Sequence, residues 1–181
     1  YRDFCKINYG YNKLFKLVMI RKVFYSFHFD NDNWRAGQVR NIGAVEGDKQ
    51  VNGNKWEDIK SSSETKIKAW IDDNLKDKSC LIVLIGSQTS QRHWVDYEIK
   101  KAWELGKAVC GVYIHNLKDV YGNQSKKGKN PFENYTIGGK SMANIAPVFD
   151  SKYSTSTYVY DDIKDNIADL VEKAIQIRNQ Y

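Results

Sequence analysis

Nothing in this chain of 181 residues is long and apolar enough for a transmembrane helix, which needs roughly 18 or more apolar residues in a row. Cysteine is scarce. There are three, an odd number and far apart, with no CxxC pair and no His/Cys cluster at ligand spacing. No disulfide framework, no structural zinc and no other metal site are therefore expected. Cys80 and Cys110 fall inside apolar runs that read as core strands, and buried free thiols fit a reducing, cytoplasmic compartment. Glycine-rich phosphate loops of the GxGxxG or Walker type are absent, so a Rossmann or P-loop cofactor site is not supported. Internal repeats and low-complexity tracts are absent too.

What is present describes a globular chain. Apolar residues make up 41% and charged residues 28%, enough for one domain with a substantial core. The net charge of +6 permits an acidic or phosphate-bearing partner. Lysines are scattered, apart from Lys126-Lys127-Gly128-Lys129 in an apparent loop, so a nucleic-acid surface is not expected.

The chain is organised around residues 79–98. Cys80 to Ile85 is a continuous apolar run, the mark of a strand buried on both faces of a parallel sheet. Gly86 and Ser87 end it. Thr89 and Ser90 can cap a helix whose apolar stripe is Val95, Ile99 and Ala102. Such a strand–loop–helix unit is where open α/β sheets place ligands. Trp94 and Glu98 lie one turn apart on the flank of that stripe, either as part of a ligand site or as a half-buried indole beside a solvated carboxylate.

Elsewhere, Val23 to Phe29 reads as an aromatic first strand and Trp34 to Ile42 as a helix. Residues 44–54 read as a short or irregular second strand around Val45 and Val51. Ser61-Ser-Ser-Glu64 caps a helix carrying Ile67, Trp70, Ile71 and Leu75. Ala108 to Ile114 is a further buried strand. Residues 116–144 form a long polar, glycine-containing stretch, expected at the surface on one rim of the sheet, with no long element of its own. Ala143 to Phe149 supplies a fifth strand, with Ile145, Val148 and Phe149 apolar, kept short or at an edge by Pro147. Asp161-Asp162 opens a final helix. Strands at 22–29, 80–86 and 108–114 are expected to be neighbours. The predicted class is α/β, a three-layer sandwich with a parallel sheet of about five strands and helices on both faces. Residues 1–18 are aromatic and basic and do not fit a signal peptide. They read as an N-terminal extension, and 19–181 as one domain.

Phe24-Tyr-Ser-Phe-His28, Val83-Leu-Ile-Gly-Ser-Gln-Thr89 and Arg92-His-Trp-Val-Asp-Tyr-Glu-Ile99 together resemble a TIR-like domain. Within that superfamily the resemblance is to bacterial TIR-like proteins of the ThsB type, found in Thoeris antiphage defence. Lys118-Asp-Val-Tyr-Gly-Asn123 and Gly128-Lys-Asn-Pro-Phe132 look like the same subgroup. The resemblance spans about residues 20–150. It implies a flavodoxin-like fold, and an enzyme that cleaves the nicotinamide–ribose bond of NAD, with a cyclic or conjugated ADP-ribose signal as a product of some members. NAD would be substrate, with no cofactor. The alternative is a non-catalytic signalling module that binds partners through the same fold. A weaker option is another nucleoside-type N-glycosyl transferase. Self-association or another defence protein is the expected macromolecular partner.

The family's catalytic glutamate corresponds to Glu98. The chemistry gives it a role: loss of neutral nicotinamide leaves positive charge on the ribose, and a carboxylate stabilises it without metal or second acid. Candidate substrate contacts are Ser26 and His28 closing the first strand, Arg35 for a pyrophosphate, Ser87 at the loop mouth and Trp94 against nicotinamide. For each, an ordinary structural role is the competing reading.

Overall fold

The computed structural model describes residues 20–47 and 61–181. The expected extension at 1–18, Met19, Val51 and Trp56 to Asp58 lie outside the described residues. Four parallel strands form the main sheet: β1 (Val23–Ser26), β2 (Cys80–Ile85), β3 (Ala108–Tyr113) and β6 (Val148–Phe149), in the order β1-β2-β3-β6. The three strands expected to be neighbours are neighbours. A single parallel bridge between Lys22 and Glu46 lies alongside the start of β1, where Val23 N–H donates to the Glu46 carbonyl. This bridge falls at the start of the expected second strand, whose residues 48–54 lie outside the described residues.

Among the described residues four α-helices flank the sheet: α1 (Phe29–Arg40), α2 (Glu64–Leu75), α3 (His93–Glu104) and α4 (Ser156–Arg178). The pleat sends alternate side chains to opposite faces. Val23, Tyr25, Cys80, Ile82, Leu84, Cys110 and Val112 pack with α1 and α4. Phe24, Leu81, Val83, Ile85 and Val109 pack with α2 and α3. All six residues of β2 are buried, as expected of a strand covered on both faces. Cys80 and Cys110 are buried free thiols with their sulfurs 3.7 Å apart.

Three boundaries differ from the sequence reading. Strand β1 stops at Ser26, and α1 begins at Phe29 rather than Trp34. Phe27 and Phe29, which continue the aromatic alternation, instead stack on each other at 6.2 Å across the junction. Helix α4 begins at Ser156, so Asp161 and Asp162 lie within it.

The 116–144 stretch has no long element, as expected, but it is more than a surface rim. It contains 3-10 turns at Pro131–Asn134 and Met142–Asn144 and a two-stranded hairpin, β4 (Thr136–Ile137) with β5 (Lys140–Ser141). Phe132 and Met142 are fully buried in the α2/α3 core. Asn134 Nδ2 donates to the Ser90 carbonyl at 3.3 Å, laying the segment along the loop after β2.

Candidate functional site

Ser26 is the last residue of β1 and Glu98 sits in the second turn of α3. Both face the α2/α3 side of the sheet: Ser26 follows Phe24 at the strand period of two, and Glu98 follows Val95 by three. The Ser26 hydroxyl donates to Glu98 Oε2. Glu98 is only 6% exposed, so the solvated-helix reading of its side chain does not hold. Positions 95, 98, 99 and 102 are spaced i, i+3, i+4, i+7, which places Glu98 inside the core stripe rather than on its flank. Burial disfavours the charged form and pushes the Glu98 carboxyl up to about 8, and the Ser26 hydrogen bond offsets only part of this. Among the described residues no cation pairs with it.

The other candidates are distributed around this pair. His28 stands half-buried at the N-cap position of α1, two residues past Ser26, and its carbonyl accepts from Asp32 N–H at 2.9 Å. Ser87, just beyond β2, is half-buried, and its hydroxyl oxygen accepts from Asn31 Nδ2 at 3.2 Å. Trp94 lies one turn before Glu98. Its indole packs edge-on to His93 at 4.8 Å and to Tyr97 at 6.3 Å, against the α2/α3 core. The C-terminal ends of β1 and β2 thus bring together Ser26, Ser87 and the start of α1, with Glu98 reaching in from α3.

Arg35 does not belong to this group as a ligand contact. It is 3% exposed, and all five of its N–H donors have acceptors inside the protein. Nε donates to the Leu117 carbonyl at 2.9 Å. One terminal nitrogen donates to the Asn31 carbonyl at 3.3 Å and to Asp32 Oδ1 at 3.2 Å. The other donates to Asp119 Oδ2 at 3.3 Å and to the Asn123 carbonyl at 2.8 Å. A guanidinium engaged in this way has no donor left for a pyrophosphate. Its role is to clasp α1 to the start of the 116–144 segment.

Sequence reasoning does not single out Asp32. Asp32 is fully buried, its carboxyl pushed above the usual range by burial and partly restored by Arg35. It lies directly over the end of β2. A methyl group on Gly86 would stand 2.7 Å from Asp32 Oδ1 and 2.5 Å from its Cγ, so only glycine fits there. The available signal was Asp32 and Arg35 at i, i+3 on one helix face. Gly128 makes a second close approach: a side chain there would run into the Gly86 carbonyl, 3.0 Å from its carbon. The 116–144 segment thus lies backbone to backbone across the end of β2. No group of three or more His, Cys, Asp or Glu side chains among the described residues is arranged to hold a metal ion, and no described helix is long and apolar enough to cross a membrane.

Residues 24–119 match the family described as Thoeris protein ThsB, TIR-like domain. A protein of Bacillus cereus (strain MSX-D12), named "Putative cyclic ADP-D-ribose synthase ThsB1", is 39% identical over 133 residues, which cover 68% of this chain and 69% of that protein. Among solved structures, the Clostridium botulinum CMP N-glycosidase BcmB aligns over 79% of this chain and 97% of its own, at 14% identity and a TM-score of 0.45. That likeness is too slight to carry anything further. The family match takes in more than half of the chain, and it includes β1, β2, α3 and the Ser26–Glu98 pair: the chain belongs to the ThsB family of TIR-like domain proteins.

Proposed function

We propose that the chain is an NAD-processing TIR-like enzyme that breaks the bond between nicotinamide and ribose. The observation that carries this is the Glu98 carboxyl, buried at the C-terminal end of the parallel strands and held by the Ser26 hydroxyl. A helix carboxylate has no structural reason to occupy a core position without a cation. Its cost is repaid if a cationic substrate supplies the missing charge. The name of the Bacillus cereus relative supports the same reading.

The nicotinamide of NAD is a pyridinium. When it docks, its positive charge favours ionised Glu98 and draws the raised pKa down again. The substrate thereby generates the carboxylate that its own reaction uses. Nicotinamide then leaves neutral, taking the bonding pair, and positive charge passes to the ribose C1–O bond. Glu98, in a site where water screens little, stabilises that charge and can accept hydrogen bonds from ribose hydroxyls. Water, or a nucleophilic atom elsewhere on the ADP-ribose, attacks C1 and gives up one proton. The first outcome is hydrolysis and the second a cyclic product. Ser26 holds the carboxylate in place; His28, Ser87 and Trp94 line the approach.

The test is incubation of the purified chain with NAD, alone and with lysate from phage-infected cells, followed by chromatography. Free nicotinamide together with ADP-ribose or a cyclised isomer is the expected outcome. Intact NAD under both conditions would favour a module that binds partners without chemistry.

A further inference from the structure

We propose that the lysine loop, Lys126 to Lys129, is the diphosphate-binding element of the dinucleotide site. This rests on the NAD reading above. A dinucleotide whose nicotinamide ribose lies at Glu98 carries its diphosphate only a few bonds away, and those charges need a cation at the same end of the sheet. Arg35, the obvious choice from sequence, has spent its donors on the fold. Arg92 gives one terminal nitrogen to the Gln88 side chain, and its Nε is buried without a partner among the described residues.

The lysine loop has both the position and the free charge. Gly128 rests against the Gly86 carbonyl and Ser87, so the loop crosses the end of β2, with Lys129 next to the contact and Lys126 two residues before it. The loop is fixed there. Ser125 N–H donates to the His115 carbonyl at 2.9 Å, and Lys127 pairs with Asp150 at 2.5 Å while lying 4.5 Å from the centre of the Tyr113 ring. Lys127 is thus the anchor. Lys126 and Lys129, on either side of it, are exposed, and neither has a carboxylate within ion-pair reach among the described residues. Two exposed ammonium groups on a loop packed across the end of β2 suit a diphosphate, which Lys binds as a point charge without demanding fork geometry. The requirement that residue 128 lack a side chain follows from the same placement.

The experiment measures binding by calorimetry to the full chain, wild type against Lys126→Glu/Lys129→Glu. The probes are ADP-ribose, which keeps the diphosphate, and nicotinamide riboside, which has no phosphate. A control, Lys164→Glu/Lys173→Glu, makes the same charge change on α4. ADP-ribose affinity should fall roughly tenfold or more in the loop variant, as two exposed ion pairs are reversed. It should hold in the control, and nicotinamide riboside should bind all three proteins alike. In turnover the loop variant should raise KM for NAD with kcat within about twofold. Replacement of both lysines by arginine should restore affinity. Unchanged ADP-ribose affinity in the loop variant, an equal loss in the control, or no ADP-ribose binding by wild type would overturn the proposal. Loss of ADP-ribose affinity in a chain that never releases nicotinamide would leave the subsite standing and remove the enzyme. Nicotinamide release that needs Glu98 but ignores the lysines would do the reverse.

Discussion

The Ser26 hydroxyl at the end of β1 donates to the Glu98 carboxylate of α3, across 72 residues of sequence. This contact joins the first strand to the helix after the second at the end of the sheet where α/β folds bind ligands. Ser26 is also the neighbour whose hydrogen bond favours the ionised form of Glu98. Ser26→Ala should therefore leave the fold intact and raise the Glu98 pKa further. The acid limb of the kcat/KM profile for NAD should move to higher pH, with a loss near neutrality of about tenfold for one hydrogen bond to a charged group. The pH–rate profiles of the two proteins check this.

The raised pKa of Glu98 also sets the sign of a stability effect. The group is near 4.5 when unfolded and about 8 when folded. Between those values the folded chain holds a proton that the unfolded chain has released, so stability falls as pH rises through that window. Glu98→Gln has no proton to lose. Its melting temperature relative to wild type should be similar at pH 5 and should rise by roughly 5 °C or more towards pH 9, from a contribution of order several kcal/mol. Thermal melts of both proteins across this range give the difference directly.

Arg35 belongs to the fold rather than to the ligand. Arg35→Ala strips five acceptors of their donor and leaves Asp32 buried beside no cation, a loss of roughly 3–5 kcal/mol. Arg35→Lys should recover little, because an ammonium cannot reproduce the planar fork. Denaturant melts should show both losses. A ligand role would instead show as a raised KM at unchanged stability.

Gly86→Ala places a methyl group against the Asp32 carboxylate and should cost about 1–3 kcal/mol, whatever its effect on turnover. The double variant Gly86→Ala/Asp32→Ala should recover part of that loss, since the colliding oxygens are gone. A double-mutant cycle in denaturant measures the coupling.

The parts of the fold that sequence revealed are those dictated by local pattern. The unbroken runs Cys80–Ile85 and Ala108–Tyr113 could only be buried strands, and they pair as neighbours. Where a pattern was ambiguous the reading slipped. Aromatic alternation through Phe29 extended β1 past Ser26, although the Asp and Asn that follow already favour a turn into helix. For α4, Asp161-Asp162 resembled a cap and hid the earlier start at Ser156. At the site, Glu98 and Ser26 were legible as candidates, but the burial of Glu98 was not, because a charge at position 98 was set aside from a stripe whose spacing includes it. The Arg35 clasp could not be read at all. Three of its acceptors, at Leu117, Asp119 and Asn123, lie 82 to 88 residues away, and two are backbone carbonyls that leave no mark in sequence.

The most direct test compares nicotinamide release from NAD by wild type and by Glu98→Gln, under a condition in which wild type is active. The amide keeps the shape of the side chain and loses the charge that positive ribose requires. Turnover should fall by ~10²–10³ while the protein remains folded. Equal turnover in the two proteins would contradict the account, removing Glu98 from the chemistry and leaving a TIR-like fold that binds rather than reacts.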